Sequence, residues 1–466
     1  MRGWPKEIAV ETTPLHCSLF ELCRRQIASD TEFMQLNGFH AAPPVDALLF
    51  ENYRLFKLRR MLNYVAEHSR YYQRCFADFG IKPQKITSIA DLRVIPLTNG
   101  TDLSMDPFAF LCVSQSKIER IITFTSSGTM GPKKRIFFTE KDLEAITDYM
   151  GAGMKTVAGS SDVVQILLPE GPVMGQTDLL ARGVEKMGAR PVIAGMFLEP
   201  QEQIEIIRRQ GSTVIFGETH LIYRITKTME RHCDLARLGI HTLFLTTSHA
   251  SEKMIAYLSR TWNARISKHY GLVEMGLGLA VDCPSCGAYH FNELDVICEV
   301  VDPKTGRVLP PGSGGELVFT TLQREGMPLI RYCSRDLAPF GPSAGSCDSP
   351  LNTIGHVESR VESRLRLDNG AVVYPTLFHD VVFSIPEVID YELSIETEYG
   401  TDVLVFDLEV FSPETFVPER MAAQMKKTRI VQRTGVPVMV RFKPPGTLKQ
   451  GAVFKKVVND RRNHDN

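Results

Sequence analysis

Between Val163 and Thr247 the short apolar runs "VVQILL", "RPVIAG", "STVIFG" and "HTLFLTT" alternate with amphipathic stretches such as "DLLARGVEKMGA", and "SEKMIAYLSRTWN" follows the last run. Runs of strand length separated by one-sided helices read as parallel strands with crossover helices, so the chain is expected to be α/β. Upstream, Leu55, Leu58, Leu62 and Val65 fall on one helical face, and "HSRYYQRCFADFGI" continues as a helix ending at Gly80. From Cys298 the pattern becomes all-strand, with "VICEVVD" and "GELVFTT" around the turn "PKTG", which predicts a small β subdomain. After Gly355 a helix-like "TLFHDVVFSI", strands "YELSIET" and "DVLVFDLEVF", a basic helix "ERMAAQMKKTRIVQRTG" and a last strand "VPVMVRF" form an α+β tail. The expected organisation is a large N-terminal domain, 1–355, and a small C-terminal domain, 356–466.

A chain of 466 residues, 43% hydrophobic, can bury more than one core. Its 53 Lys plus Arg balance 54 Asp plus Glu, so no overall field recruits nucleic acid or a membrane surface, and a small-molecule partner is expected instead. "MRGWPKEIAVETTPLH" lacks the apolar centre of a signal peptide, and no apolar run is long enough to span a bilayer, which predicts a cytoplasmic protein. In that compartment ten cysteines are not a disulfide framework, and clustered ones point to metal or catalysis.

Three segments carry chemistry. In "TFTSSGTMGPKKRIFFT", Thr123 to Thr139, small hydroxyl residues and glycines allow backbone N–H groups to approach an anion, and Lys133, Lys134 and Arg135 supply positive charge. A phosphate fits this pattern, and so does a hairpin turn with a solvated basic end. In "ISKHYGLVEMG", Glu274 follows a predicted strand, where a carboxylate at the mouth of a parallel sheet could hold Mg²⁺ against phosphate oxygens. In "MPLIRYCSRDLAPF", Asp336 follows a strand and could accept both hydroxyls of a ribose, or cap a turn. Other motifs are set aside. "GAGMKT" lacks the third glycine of a nucleotide loop and sits in a helix-like stretch, and "GPSAG" has Pro342 before its serine and no strand-turn-helix context.

In order, "TSSGTMGPKK", "HYGLVE", "RYCSRD" and "SRVESRLRLDNGAVVYP" resemble the core motifs of the adenylate-forming superfamily of acyl-CoA synthetases. The helical opening and "GELVFTTLQREGMPLIRY" resemble its phenylacetate-CoA ligase branch, from about Leu55 to the end. The resemblance implies a two-step reaction. A carboxylic acid attacks the α-phosphate of ATP to give an acyl adenylate and pyrophosphate, and a thiol, usually of coenzyme A, then displaces AMP. It implies that Ser126, Ser127, Gly128 and Thr129 hold the pyrophosphate end, that Glu274 binds Mg²⁺, and that Tyr270 and Gly271 line the adenylate. Asp336 and Arg360 would bind the ribose, with Ser248, His249 and Ala250 of "TTSHASE" at the adenine. The C-terminal domain would be mobile, turning about "GHVESRVESRL" between half-reactions. A homodimer is left open as the assembly.

The chain departs from the family pattern at Met130, at Glu362 and Ser363, and most of all near its end. Counting from Pro445 and Gly446 puts Phe454 where the family has its adenylation lysine, with Lys455 and Lys456 next; Lys455 is the expected replacement. Besides an acid–thiol ligase, the sequence leaves open transfer to a non-CoA acceptor and a non-catalytic adenylate-binding scaffold. Finally, "VDCPSCGAYHF" places Cys283 and Cys286 at C-x-x-C spacing with His290 nearby, a pattern that suits a structural Zn²⁺. Relatives of this branch imply a further ligand downstream of the ribose motif, where Cys347 remains and Cys333 competes.

Overall fold

The computed structural model describes residues 15–125, 133–341, 351–412, 417–448 and 456–462, the side chains of residues 15–17 and 125 excepted. The chain divides into two compact units: Met1–Val164, Glu170–Ile193 and Ser267–His356 form one, and Gln165–Pro169, Ala194–Ile266 and Val357–Asn466 the other.

The first unit opens with helices, and Leu58, Leu62 and Val65 bury the stripe that their spacing predicts. The helix predicted to run on to Gly80 is two helices, Ala47–His68 and Arg70–Asp78. Ser69 separates them: its extended backbone stops the first, and its hydroxyl accepts from the Tyr72 amide to start the second. Gly80, at φ +63°, then turns the chain away. Ile118–Thr125 and Lys133–Thr139 pair antiparallel, with Thr125 opposite Lys133, the residues that bound the glycine and serine segment in sequence. The glycines of "GAGMKT" have a packing role. A Cβ on Gly151 would stand 2.9 Å from the Gly183 carbonyl oxygen, so helices Glu140–Met154 and Gln176–Lys186 meet backbone to backbone.

An antiparallel path in this unit runs Val296–Val301, Gly314–Thr321, Tyr332–Gly341, Thr353–Ile354, Ala288–Phe291, Ala280–Cys283 and then His269–Tyr270. The all-strand region therefore starts at Ala280, earlier than Cys298. Its first two strands have four residues each, too few for a period to show in sequence.

In the second unit, Val214–Glu218 and Thr242–Thr246 pair in parallel, each buried along its whole length. This is the pattern of a sheet covered on both faces by crossover helices. The tail has a central hairpin, Val388–Glu398 with Thr401–Val410, flanked by parallel strands Val438–Lys443 and Val458–Asp460. The predicted basic helix is two short ones, Pro418–Met425 and Arg429–Thr434, and the three-residue strand Val458–Asp460 was too short to read from sequence. Leu243, Trp262, Phe378, Phe406 and Val440 belong to one core. The α/β class with an α+β tail is as the sequence predicts.

Candidate functional site

Alternation in the strand Lys133–Thr139 turns Lys133 and Arg135 to solvent and Lys134 inward. The Lys134 ammonium lies 2.6 Å from Glu274 Oε1 and donates to the Tyr332 hydroxyl at 3.0 Å, and that hydroxyl donates to the same carboxylate oxygen at 2.7 Å. All three side chains are buried. Burial alone would raise the Glu274 carboxyl, but the Lys134 charge, its hydrogen bond and the Tyr332 hydroxyl together hold it below its ordinary value. Glu274 is therefore a charged carboxylate at neutral pH, positioned by residues 140 and 58 positions away in sequence.

The loop carrying Glu274 is tightly wound. The Leu277 amide donates to the Leu272 carbonyl and the Leu279 amide to that of Tyr270. A Cβ on Gly271 would stand 1.9 Å from the Leu277 carbonyl oxygen, so only glycine fits there. Tyr270 leaves its strand just before this turn, and its hydroxyl donates to Asp336 Oδ2 at 2.8 Å. Asp336 does not follow a strand as predicted; it lies within Tyr332–Gly341. There the register slips between the pairs Val318–Cys333 and Glu316–Leu337, and Arg335 takes φ +66°. Such a bulge re-aims a side chain out of the strand's alternation, which sequence periodicity could not show.

The segment Cys283–Gly287 turns back on itself, with the Gly287 amide bonded to the Cys283 carbonyl and Gly287 at φ +63°. Ligand atoms of Cys283, Cys286 and His290 all lie within 4.8 Å of one another, and Cys286 Sγ is 3.5 Å from His290 Nε2. His290 Nδ1 is 3.3 Å from the Asn352 carbonyl oxygen, a contact that suits Nδ1–H as donor and turns Nε2 toward the thiols. These separations suit two sulfurs and one nitrogen around a tetrahedral Zn²⁺. Among the described residues this is the one group of three or more such side chains close enough to hold a metal. Cys333 packs instead with Val301 and Val318, and burial pushes its thiol up to about 12.

Ser126, Ser127, Gly128, Thr129, Cys347 and Lys455 lie outside the described residues. Ser248, His249, Ala250 and Arg360 belong to the second unit. There the Thr219 hydroxyl donates to the carbonyls of Thr246 and Ser248, Ala250 packs on the core, and His249 Nδ1 is 3.2 Å from His379 Nδ1. Arg360 brackets a short turn, its amide donating to Ser363 Oγ and its guanidinium lying 3.8 Å from Glu362. Lys456 is tied to Asp390 at 2.5 Å and donates to the Tyr391 carbonyl at 2.9 Å. Sequence reasoning missed Tyr332, which no local pattern links to Glu274, and the buried Glu218, His220 and His379. Burial raises Glu218 to about 7 and lowers His220 to about 3. The pattern of alternation could have singled out Lys134 from its neighbours.

A glycine and serine segment that lies in sequence between two paired strands, a buried carboxylate fixed by a lysine, and a tyrosine bonded to an aspartate on a bulged strand accord with a nucleotide-handling enzyme. Residues 118–323 match the family described as AMP-binding enzyme. The match is to the adenylate-forming superfamily of acyl-CoA synthetases, which this chain resembles. Within it the similarity is to the phenylacetate-CoA ligase branch. It is 27% identical over 442 residues to a phenylacetate-coenzyme A ligase of Pseudomonas putida, covering 90% of this chain and 95% of that protein. With one of Aromatoleum evansii it shares 28% over 445 residues, covering 90% and 97%. In fold it is similar to a crystal structure of 2-hydroxyisobutyryl-CoA ligase in the postadenylation state in complex with 2-HIB-AMP. That match has a TM-score of 0.78 at 17% identity, over 90% of this chain and 94% of that chain.

Proposed function

We infer that the chain is an AMP-forming acid–thiol ligase, which activates an organic acid with ATP as acyl-AMP and transfers the acyl group to coenzyme A. The observation that carries this reading is the buried Lys134–Glu274–Tyr332 group, together with similarity along nearly the whole length of phenylacetate-coenzyme A ligases. In this reading Tyr270 lines the adenylate and Asp336 accepts the ribose hydroxyls. Glu274 is the carboxylate toward Mg²⁺, for which one protein carboxylate completed by phosphate oxygens and water is an ordinary set. When bound, Mg²⁺ neutralises phosphate charge; the protein's part is to keep Glu274 ionised and fixed, a task that Lys134 and Tyr332 perform. Cys283, Cys286 and His290 hold a structural Zn²⁺ with Cys347 as fourth ligand, and an aromatic acid is the expected substrate class. Residues 356–466 act as the mobile domain.

Incubation with ATP, Mg²⁺, coenzyme A and a set of arylacetic and benzoic acids should yield AMP, pyrophosphate and an acyl thioester for at least one acid. Acyl transfer to amines but not to thiols would replace this reading with the non-CoA acceptor.

A further inference from the structure

Behind the Glu274 loop the first unit contains a cavity of about 50 Å³, room for only a few non-hydrogen atoms. Lys134, Glu274, Tyr332, Tyr270 and Asp336 are not among the residues that line it. Its walls are apolar at Ile146, Met275, Leu279 and Val296, and polar at Tyr149 and Arg324. Tyr149 is 6% and Arg324 8% exposed, yet Tyr149 Oη and Arg324 Nη1 have no hydrogen-bond partner among the described residues. Buried donors without an acceptor are costly, the more so on a cation.

The two acids in the wall, Asp142 and Asp295, act on Arg324 by charge but give its Nη1 no hydrogen bond. Asp142 already accepts from the amides of Thr139, Glu325 and Gly326. Asp295 accepts from Gln26 and Asn292 and lies 3.8 Å from Lys57. What the cavity lacks is a hydrogen-bond acceptor for Tyr149 Oη and Arg324 Nη1, small enough to fit and carrying little beyond a short apolar end. We propose that this cavity binds a small carboxylate of formate or acetate size, held by Arg324 and Tyr149 and separate from the Glu274 centre.

The site is mechanically close to that centre. The Arg324 guanidinium lies over the Phe138 ring at 4.8 Å, and its Nη2 is 2.9 Å from where a Cβ on Gly276 would stand. Gly276 follows Glu274 by two residues, and the Tyr149 ring packs in the same way against Gly278. A bound carboxylate would thus anchor the two side chains that buttress the loop.

The test requires no turnover, so its outcome is independent of the ligase reading. Full-length protein without ATP is melted across a series of sodium acetate concentrations, with sodium chloride holding ionic strength constant. The parent should show a saturable rise in Tm. Tyr149→Phe, which removes only the hydroxyl, should raise the half-saturating acetate concentration about tenfold, the loss of one hydrogen bond to a charged group. Arg324→Gln should abolish the response, and Glu274→Gln should retain it. No rise beyond the chloride control, or an unchanged response in Tyr149→Phe, would assign the cavity to water and overturn the proposal. A response lost in Glu274→Gln would place the acetate at the reaction centre and overturn it equally.

Discussion

A buried ammonium beside a buried carboxylate is stable only while both are charged, because removing one leaves the other uncompensated in a poor solvent. Lys134 and Glu274 stand in that relation, and Tyr332 supplies a further donor to the carboxylate. Lys456 is different: Asp390 and the Tyr391 carbonyl occupy its ammonium within the second unit. Lys455 remains the residue we propose for the adenylation cation. Lys455→Ala should lose acid-dependent adenylation yet still convert a supplied acyl adenylate and thiol to product, because the cation acts only in the first transition state. Half-reaction assays check this, and equal loss in both halves would contradict it. At this scale the sequence showed which residue types were needed but not which copy serves. The run Lys133, Lys134, Arg135 supplied three cations, and only strand alternation selects the inward one.

Among the elements, the Glu274 loop has the least tolerance for change. Gly271→Ala would force a methyl group into the Leu277 carbonyl, and the loop could relieve the clash only by unwinding. Adenylation should fall at least a hundredfold, as when a key electrostatic contact is lost. Tm should fall as well, while circular dichroism still reports a folded chain; wild-type adenylation in this variant would remove the loop from the mechanism. The segment around Glu362 carries a different expectation. If residues 356–466 turn between half-reactions, the backbone there must rotate, and Glu362→Pro fixes one dihedral. Thioester formation should slow more than adenylation in this variant, as separate rate measurements of the two half-reactions can determine. The repeating strands and helices were legible because their periods extend over many residues. The bulge at Asp336, the break at Ser69 and the four-residue strands were not, since each is set by one or two residues or by a pairing partner far away in sequence.

For the whole molecule, the proposed zinc site and the reaction make separate demands. Metal analysis of protein purified without added zinc should find close to one zinc per chain. Cys286→Ser and Cys347→Ser should each lower both zinc content and Tm, because metal binding to the folded state is coupled to folding. Folded, active protein free of zinc would rule the site out. C-x-x-C spacing made two of the proposed ligands visible in sequence, whereas the Asn352 carbonyl beside His290 depends on a strand pairing 62 residues away. The central claim, that this chain forms acyl adenylates, is tested most directly by ATP–pyrophosphate exchange with a panel of carboxylic acids that includes phenylacetate. The account predicts acid-dependent exchange by the parent. In Glu274→Gln, where the amide still offers Lys134 and Tyr332 an acceptor, it predicts a roughly hundredfold lower rate and a lowered Tm. Folded, ATP-binding parent protein that exchanges pyrophosphate with no acid in the panel would contradict the account and leave a scaffold in place of a ligase.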